Sequence, residues 1–461
     1  MSANNGMTQT ESRAAFSLAS IFSLRMLGLF MIYPVFSVYA HHLTGATPFT
    51  IGLALGVYGL AQALLQIPFG MSSDRVGRKP VIALGLLIFA AGSVVAAMSH
   101  SIEGVIIGRI LQGGGAVGST TLALGADLTR EEHRTKAMAI IGMTIGFSFA
   151  LAVVVGPLIN AWAGVPGIFW LTAVLAVLGI GVLQFVVPKP ARIRRHRDTE
   201  AVPALFKRVL RDPELLRLDF GILALHTMLT ATFLALPIML RHAAGLSASH
   251  EWYFYLPILF VSFVLMVPLV IVAEKYRRMK GIFIGAIAAL AVAQFALTLV
   301  PASLVAISVL LVLFFGAFNL MEATLPSLIS KVAPADGKGT AMGVYSSSQF
   351  LGIFVGGTLG GWVMGVGGVV GVFVFAGVVA LVWLGIALGM AQPRYYSSYL
   401  LNVGPVSESE ADRMAERLQQ VPGVAEAVVV PEDGVAYLKV DRHDLDEQRL
   451  GEFSDGAPAA A

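Results

Sequence analysis

The chain has 461 residues, of which 56% are hydrophobic and only 13% charged, with a net charge of +3 and a mean hydropathy of +0.78. Soluble globular chains carry about 25% charged residues, so composition excludes that class and points to a chain that crosses a membrane many times. Cysteine is absent, which excludes disulfides and thiolate metal sites. The small basic excess sits in short loops beside apolar runs, and is no nucleic-acid signal.

Apolar runs long enough to cross a bilayer core as helices fall at 15–40, 49–70, 81–99, 102–126, 136–161, 165–187, 214–240, 251–273, 281–300, 302–330, 340–364 and 368–390. Backbone groups in lipid must bond internally, so these runs are expected to be helices. The first contains Arg25 and is too long for a signal-peptide core, so it reads as a retained span. An even number of spans puts both termini on one side. Alternate loops hold Arg75, Arg78 and Lys79; Arg130, Arg134 and Lys136; Lys189 through Arg211; Lys275, Arg277, Arg278 and Lys280; and Lys331 and Lys338, whereas the opposite loops hold only Arg241. Basic loops stay cytoplasmic, so both termini are expected inside, in a bacterial inner membrane. The domain boundaries follow: a tail at 1–14, a six-helix bundle at 15–187, a basic linker at 188–213, a second bundle at 214–391 and a soluble domain at 394–455.

The two halves resemble each other. "SDRVGRKP" at 73–80 aligns with "AEKYRRMK" at 273–280, and "KAM" at 136–138 parallels "TAM" at 340–342, which places Gly156 on Gly360. Duplicated halves imply a pseudo-two-fold axis along the membrane normal, with a site between the halves near mid-membrane.

"GMSSDRVGRKP" at 70–80 resembles motif A of the major facilitator superfamily through Gly70, Asp74, Arg75, Gly77, Arg78 and Lys79. "GRILQGGGA" at 108–116 resembles motif B through Arg109, Gln112 and Gly113. "GPLI" at 156–159 resembles motif C of drug–proton antiporters, although Asn160, Ala161 and Ala152 replace its usual glycines. The resemblance covers about 14–391. It implies a 12-helix, all-α polytopic fold of two pseudo-symmetric bundles that rock to give alternating access. Within that fold the second and eleventh helices meet across the seam. Asp74 is then expected against the N-terminus of the eleventh helix, where partial positive charge rewards an anion by about 0.3–2 kcal/mol. Arg75 and Arg78 would orient it, Asp127 would complete a charge relay, and the knot would latch the halves together. Gly146, Gly156 and Pro157 are expected to bend the fifth span.

Ionisable residues inside spans cost about 2.5–3.5 kcal/mol each on insertion scales and need a reason. They are Arg25, Arg109, His226 and Glu322, all on helices that line the central cavity in the family fold. Glu322 and His226 are the candidate proton carriers, since carboxyl and imidazole groups exchange protons near neutrality when suitably placed. Arg25 or Arg109 would tune them or meet substrate. Tyr33, Gln62, Asn319, Tyr345 and Gln349 are candidate polar contacts, and Met143, Phe147, Phe149, Phe350 and Phe354 candidate apolar surface. So apolar a cavity suits a hydrophobic or amphiphilic small molecule.

The tail reads as strand 398–403, helix 407–421, strands 424–430 and 434–440, and a short helix at 444–453, an α+β, ferredoxin-like order. It is similar in outline to heavy-metal-associated domains but lacks their cysteine pair, so no metal is expected. At about 60 residues its core is marginal, which favours docking beneath the bundle or self-association. The chain is thus expected to be a proton-driven exporter, with the proton gradient in place of a cofactor and with protons, lipid and a small molecule as its partners. No P-loop or nucleophile–base arrangement marks an enzyme. An uptake symporter or facilitator on the same fold, or a transporter-shaped sensor signalling through its tail, are the alternatives.

Overall fold

A computed structural model describes residues 6–189, 202–247, 250–276, 278–300, 303–391, 396–404, 406–431, 434–441 and 444–454. The first half contains α1 (Gln9–Phe30), α2 (Tyr33–Tyr39), α3 (Pro48–Val76), α4 (Arg78–Met98), α5 (Ile102–Gly114), α6 (Gly118–Asp127) and α7 (Glu131–Phe185). A single turn, α8 (Phe206–Val209), belongs to the linker. The second half contains α9 (Pro213–Ile238), α10 (Glu251–Lys275), α11 (Met279–Leu297), α12 (Leu304–Val332) and α13 (Lys338–Leu388). Among the described residues, nine helical stretches are long and apolar enough to span a membrane. Two of them, α7 and α13, are far longer than a bilayer is thick. Each breaks at a glycine with positive φ, Gly164 (66°) and Gly368 (60°), and supplies two spans. The pair α5–α6 supplies one more, and the twelve spans are accounted for.

The local causes are visible. The Thr47 side chain accepts from the Thr50 amide while the Thr50 hydroxyl accepts from the Thr47 amide, which caps α3. Thr8 and Glu11 form a full capping box on α1, so this helix begins at Gln9, six residues earlier than hydropathy alone places it. The motif B glycines divide the fourth span. A Cβ on Gly113 would lie 2.3 Å from the Tyr58 carbonyl oxygen, and one on Gly115 2.3 Å from that of Gly85. Only glycine lets α5 and its exit seat directly on α3 and α4. The duplication shows in packing: Gly156 of α7 meets the Met31 carbonyl at the end of α1, and Gly360 of α13 meets Ala231 of α9. The breaks at Gly164 and Gly368 are separated by the same interval as this pair.

The halves join along α3 and α13. We call the end bearing the basic loops the basic end, and its opposite the far end. From the far end inward, Gly52 faces the Gly357 carbonyl (2.1 Å from a built Cβ), Gly56 the Phe354 backbone, and Gly59 the Phe350 carbonyl. Farther toward the basic end, Gln66 Nε2 donates to Ser347 Oγ at 2.8 Å. An aromatic plug crosses between the halves: Tyr33 packs on Phe233 at 5.7 Å, and Phe149 on Phe233, Phe315 and Phe318 at 6.2, 6.2 and 5.8 Å.

The tail is a three-stranded antiparallel sheet in the order β1-β3-β2, built from β1 (Ser397–Asn402), β2 (Val424–Val430) and β3 (Val435–Val440). Helix α14 (Glu408–Gln419) packs on it with the short α15 (Glu447–Gly451). The βαββα order is the expected one. Its other face is seated on the basic end: Lys439 Nζ donates to the Val332 carbonyl at 3.1 Å, and Val430, Val435 and Tyr437 pack with Ala335. Arg208 of α8 lies 3.4 Å from Asp336 and 3.7 Å from Glu426, so linker, tail and the α12–α13 turn meet in one cluster. The linker residues 190–201, Arg277 and the side chain of Glu274 lie outside the described residues.

The glycine seam predicts the effect of one substitution. Gly52→Val forces side-chain atoms into the Gly357 carbonyl, an overpacking that costs about 1–3 kcal/mol. The far-end loops of the two halves should therefore separate in spin-label distance measurements. Distances that match the wild type would show that the seam tolerates a side chain.

Candidate functional site

Below the plug, toward the basic end, a partly open cavity, about 280 Å³ when the solvent at its mouth is included, is lined by Phe30, Ile145, Gly146, Phe149, His226, Leu229, Phe318, Asn319 and Glu322. Both halves contribute: α1 and α7 from the first, α9 and α12 from the second. Gly146 opens the wall, since nothing lies within 4 Å of a Cβ built there. Of the expected apolar contributors, Phe149 lines the cavity and Phe350 packs on Tyr58 at 6.3 Å. The Phe354 backbone is spent on the glycine seam, and Met143 and Phe147 are exposed.

The polar wall is one connected cluster. His226 Nδ1 faces the Ile222 carbonyl at 3.3 Å, one turn back on α9. Donating there leaves Nε2 with its lone pair, which accepts from Gln349 Nε2 at 2.9 Å. The same amide nitrogen donates its other hydrogen to Glu322 Oε1 at 3.2 Å. Glu322 Oε2 lies 3.9 Å from His226 Nε2 and has no hydrogen-bond partner among the described residues, and neither does Asn319 Nδ2. Gln349 of α13 therefore bridges α9 to α12 in a form that requires a neutral imidazole. A proton on His226 Nε2 would face the amide donor, break the bridge and turn the ring toward the carboxylate. The cluster is thus a hydrogen-bonded link between three helices.

The two span arginines are elsewhere. Arg25 (2% exposed) donates to Tyr58 Oη at 2.7 Å and to Gln62 Oε1. Arg109 is fully buried, donates to the Ala54 carbonyl at 3.3 Å and Gln112 Oε1 at 2.8 Å, and lies over the Tyr58 ring at 4.9 Å. Both guanidiniums flank Tyr58 inside the first half, outside the cavity, held by the Tyr58 ring and by oxygen acceptors there. Gln62 is accordingly occupied by Arg25. Tyr33 is fully buried in the plug and Tyr345 is 3% exposed, so of the five polar candidates Asn319 lines the cavity and Gln349 supports it. Gly156 is a close-approach glycine rather than a visible bend, while Pro157 lies inside α7.

Motif A is helical almost throughout. Helix α3 runs to Val76 and α4 starts at Arg78, so Gly77 (φ 106°) is the single-residue corner. Gly70 lies beside Ser119 of α6. Arg78 is 1% exposed and pairs with Asp74 across the corner, with Asp127 Oδ2 at 3.1 Å and with Ser73 Oγ at 2.7 Å. Arg75 is exposed, so Arg78 rather than Arg75 orients the Asp74 carboxylate. Lys79 Nζ donates to the Val187 carbonyl at 2.6 Å, tying the corner to the exit of α7.

Sequence reasoning passed over two buried acids. Glu251, 1% exposed, pairs with Arg241 at 2.6 Å at the far end. Asp219, 5% exposed, lies seven residues before His226 on α9. That spacing, one helix face inside an apolar run, was the available signal.

A cavity at the seam of two six-helix bundles is the architecture of a polytopic membrane transporter. Comparison with known proteins agrees. The Major Facilitator Superfamily model matches residues 18–357 and 252–402, and the YajR YAM domain model matches 405–444. The inner membrane transport protein YajR of Escherichia coli is 47% identical over 94% of this chain and 95% of its own. A multidrug resistance protein, MdtH of Klebsiella pneumoniae, is 26% identical over 79% of this chain and 90% of its own. Among solved structures, a bacterial homolog of the human lysosomal transporter Spinster in an inward-facing, occupied conformation shares the fold, with a TM-score of 0.68 at 15% identity over 83% of this chain and 97% of its own. The chain belongs to the major facilitator superfamily; it is a YajR-like transporter with a C-terminal YAM domain, not an enzyme.

The Arg78 pairs predict unequal costs. Arg78→Ala leaves the fully buried Asp127 side chain without that cation, which should cost about 3–5 kcal/mol and lower Tm clearly in detergent. Asp74→Asn, at a partly exposed carboxylate, should cost about 1 kcal/mol or less. Equal losses would place the stabilising pair at Asp74 instead.

Proposed function

We propose that this protein is a proton-driven exporter of hydrophobic or amphiphilic small molecules, working by alternating access in a bacterial inner membrane. The Glu322–Gln349–His226 cluster carries the reading, because it sets exchangeable protons against an otherwise apolar, aromatic cavity at the moving seam. The basic loops orient the basic end and both termini to the cytoplasm, so the conformation with its far end sealed is inward-facing. Substrate enters among Phe30, Phe149, Phe318 and Leu229. Rings supply contact area and cation–π attraction, while Asn319 and Glu322 supply the few polar contacts. Protonation from the outside breaks the amide bridge, and release to the inside restores it. The likeness to a multidrug resistance protein supports outward transport.

In the opposite state the basic end closes. Asp74, freed in part from Arg78, then meets the first turn of α13, where unpaired N–H groups favour an anion. The Asp127–Arg78 pair holds the corner rigid while this happens.

Reconstituted vesicles test the coupling. With an imposed pH gradient and an amphiphilic fluorescent dye as probe, wild-type efflux should accelerate with the gradient. Glu322→Gln should lose that acceleration by about tenfold or more while keeping dye exchange without a gradient. His226→Gln should lose it as well. Gradient-driven efflux at wild-type rate in both variants would remove the cluster from coupling.

A further inference from the structure

We propose that Asp219 is a second proton-binding site, placed between the Glu322–Gln349–His226 cluster and the cytoplasm, which receives the proton that Glu322 releases. The inference rests on the proton-driven reading above. Asp219 lies in the second turn of α9, close to the basic end, and is 5% exposed. Neither of its carboxyl oxygens has a hydrogen-bond partner among the described residues.

That bareness separates it from the structural acids of the same protein. Glu11 accepts from the amides of Thr8 and Arg130 and from the Arg130 side chain. Asp212 caps α9 by accepting from the amides of Glu214 and Leu215. Asp127 and Glu251 each hold an arginine. A buried carboxyl with no donor is tolerable when it carries a proton or meets water, and both conditions suit a relay.

Position supports the role. His226 lies seven residues farther along α9, nearly the same azimuth and about 10 Å along the axis. On the facing helix, Tyr345 stands one turn before Gln349, buried, its hydroxyl also without a partner. The other ionisable groups on the packed elements are Lys331 on α12 and Lys338 on α13, at their basic ends, Asp74 and Arg75 at that end of α3, and Tyr58 of α3, Tyr33 and Tyr39 of α2 toward the far end. On α9 itself Arg217 is paired with Glu214. In the step proposed, the Glu322 carboxyl loses its proton and the Asp219 carboxylate gains it. The pair keeps one negative charge throughout, so no additional buried charge is created. Asp219 then deprotonates to the cytoplasm.

Infrared spectroscopy of the full-length protein in liposomes tests this through the carbonyl stretch of protonated, buried carboxyls, titrated from pH about 5 to about 8. The wild type should show two titrating bands. Asp219→Asn should delete one and keep the other, Glu322→Gln should do the reverse, and Asp219→Glu should retain two. After a jump to high pH, the Glu322 band should decay about tenfold or more slower in Asp219→Asn. A wild-type carboxyl spectrum and decay rate in Asp219→Asn would overturn the proposal and leave the coupling role of Glu322 standing. Absence of any band sensitive to Glu322→Gln would sink the coupling reading itself.

Discussion

The close approach of two backbones, α3 and α13, is the constraint on which the rest of the structure depends. Gly52, Gly56 and Gly59 meet Gly357, Phe354 and Phe350 with no side chain between them. Lipid offers no hydrophobic force to join helices, so association relies on van der Waals contact and hydrogen bonds, and small residues maximise both. Once the two backbones touch, the rings beside them have nowhere to go but across the seam. Tyr33, Phe149, Phe233, Phe315 and Phe318 interlock there, and the cavity lies on their basic-end side. The cavity is a consequence of the seam, and its sidedness follows from which end the glycines occupy.

Charge is divided between the halves in a way that suits rocking. The first half buries Arg25 and Arg109 around Tyr58, with amide, hydroxyl, carbonyl and ring partners. The second buries His226 and Asp219 beside the half-buried Glu322, and these two acids keep oxygens without a hydrogen-bond partner among the described residues, as Arg25 and Arg109 keep such nitrogens. Guanidinium stays charged at any ordinary pH and serves as fixed structure. Carboxyl and imidazole groups change state, and they lie where α9, α12 and α13 can shift against one another. On the proton-driven reading proposed above, the mobile protons sit apart from the fixed charges, and a change in protonation acts on the internal bonds of one bundle.

Most of the fold was legible in the sequence because the membrane leaves few options: long apolar runs become helices, and basic loops collect on one side. Motif A was legible as chemistry but not as conformation. Its polarity suggested a loop, whereas α3 keeps its helix through Asp74 and turns only at Gly77. Hydropathy could not see this, since helix ends near the surface are polar in any case. Glu322 and His226 were legible because an acid in an apolar run requires a reason. Arg25 and Arg109 stood out for the same cause but face the other way, because a sequence gives the helix and not its rotation. Gln349 was legible only as one polar residue among several; that it joins His226 to Glu322 is a three-helix fact. Asp219 escaped because the span boundary was drawn close to it.

The seat of the tail gives the small domain a place in this scheme. Its own core is a thin layer of valine, alanine and leucine between one sheet and α14, and domains of this size are marginal alone. The opposite sheet face, through Val430, Val435 and Tyr437, covers Ala335 in the turn that launches α13. Glu426 lies within 3.7 Å of Arg208, and Arg208 reaches Asp336 in the same turn. Thr340, in the first turn of α13, accepts from the Val202 amide of the linker. On the reading proposed above, that helix end is also where Asp74 arrives when the basic end closes. One short stretch of chain thus meets the linker and the tail in this conformation and the motif A corner in the other. A domain bound to a surface that differs between two states must favour one of them by its difference in affinity. On that same reading the tail is placed to bias the transport cycle from the turn before α13.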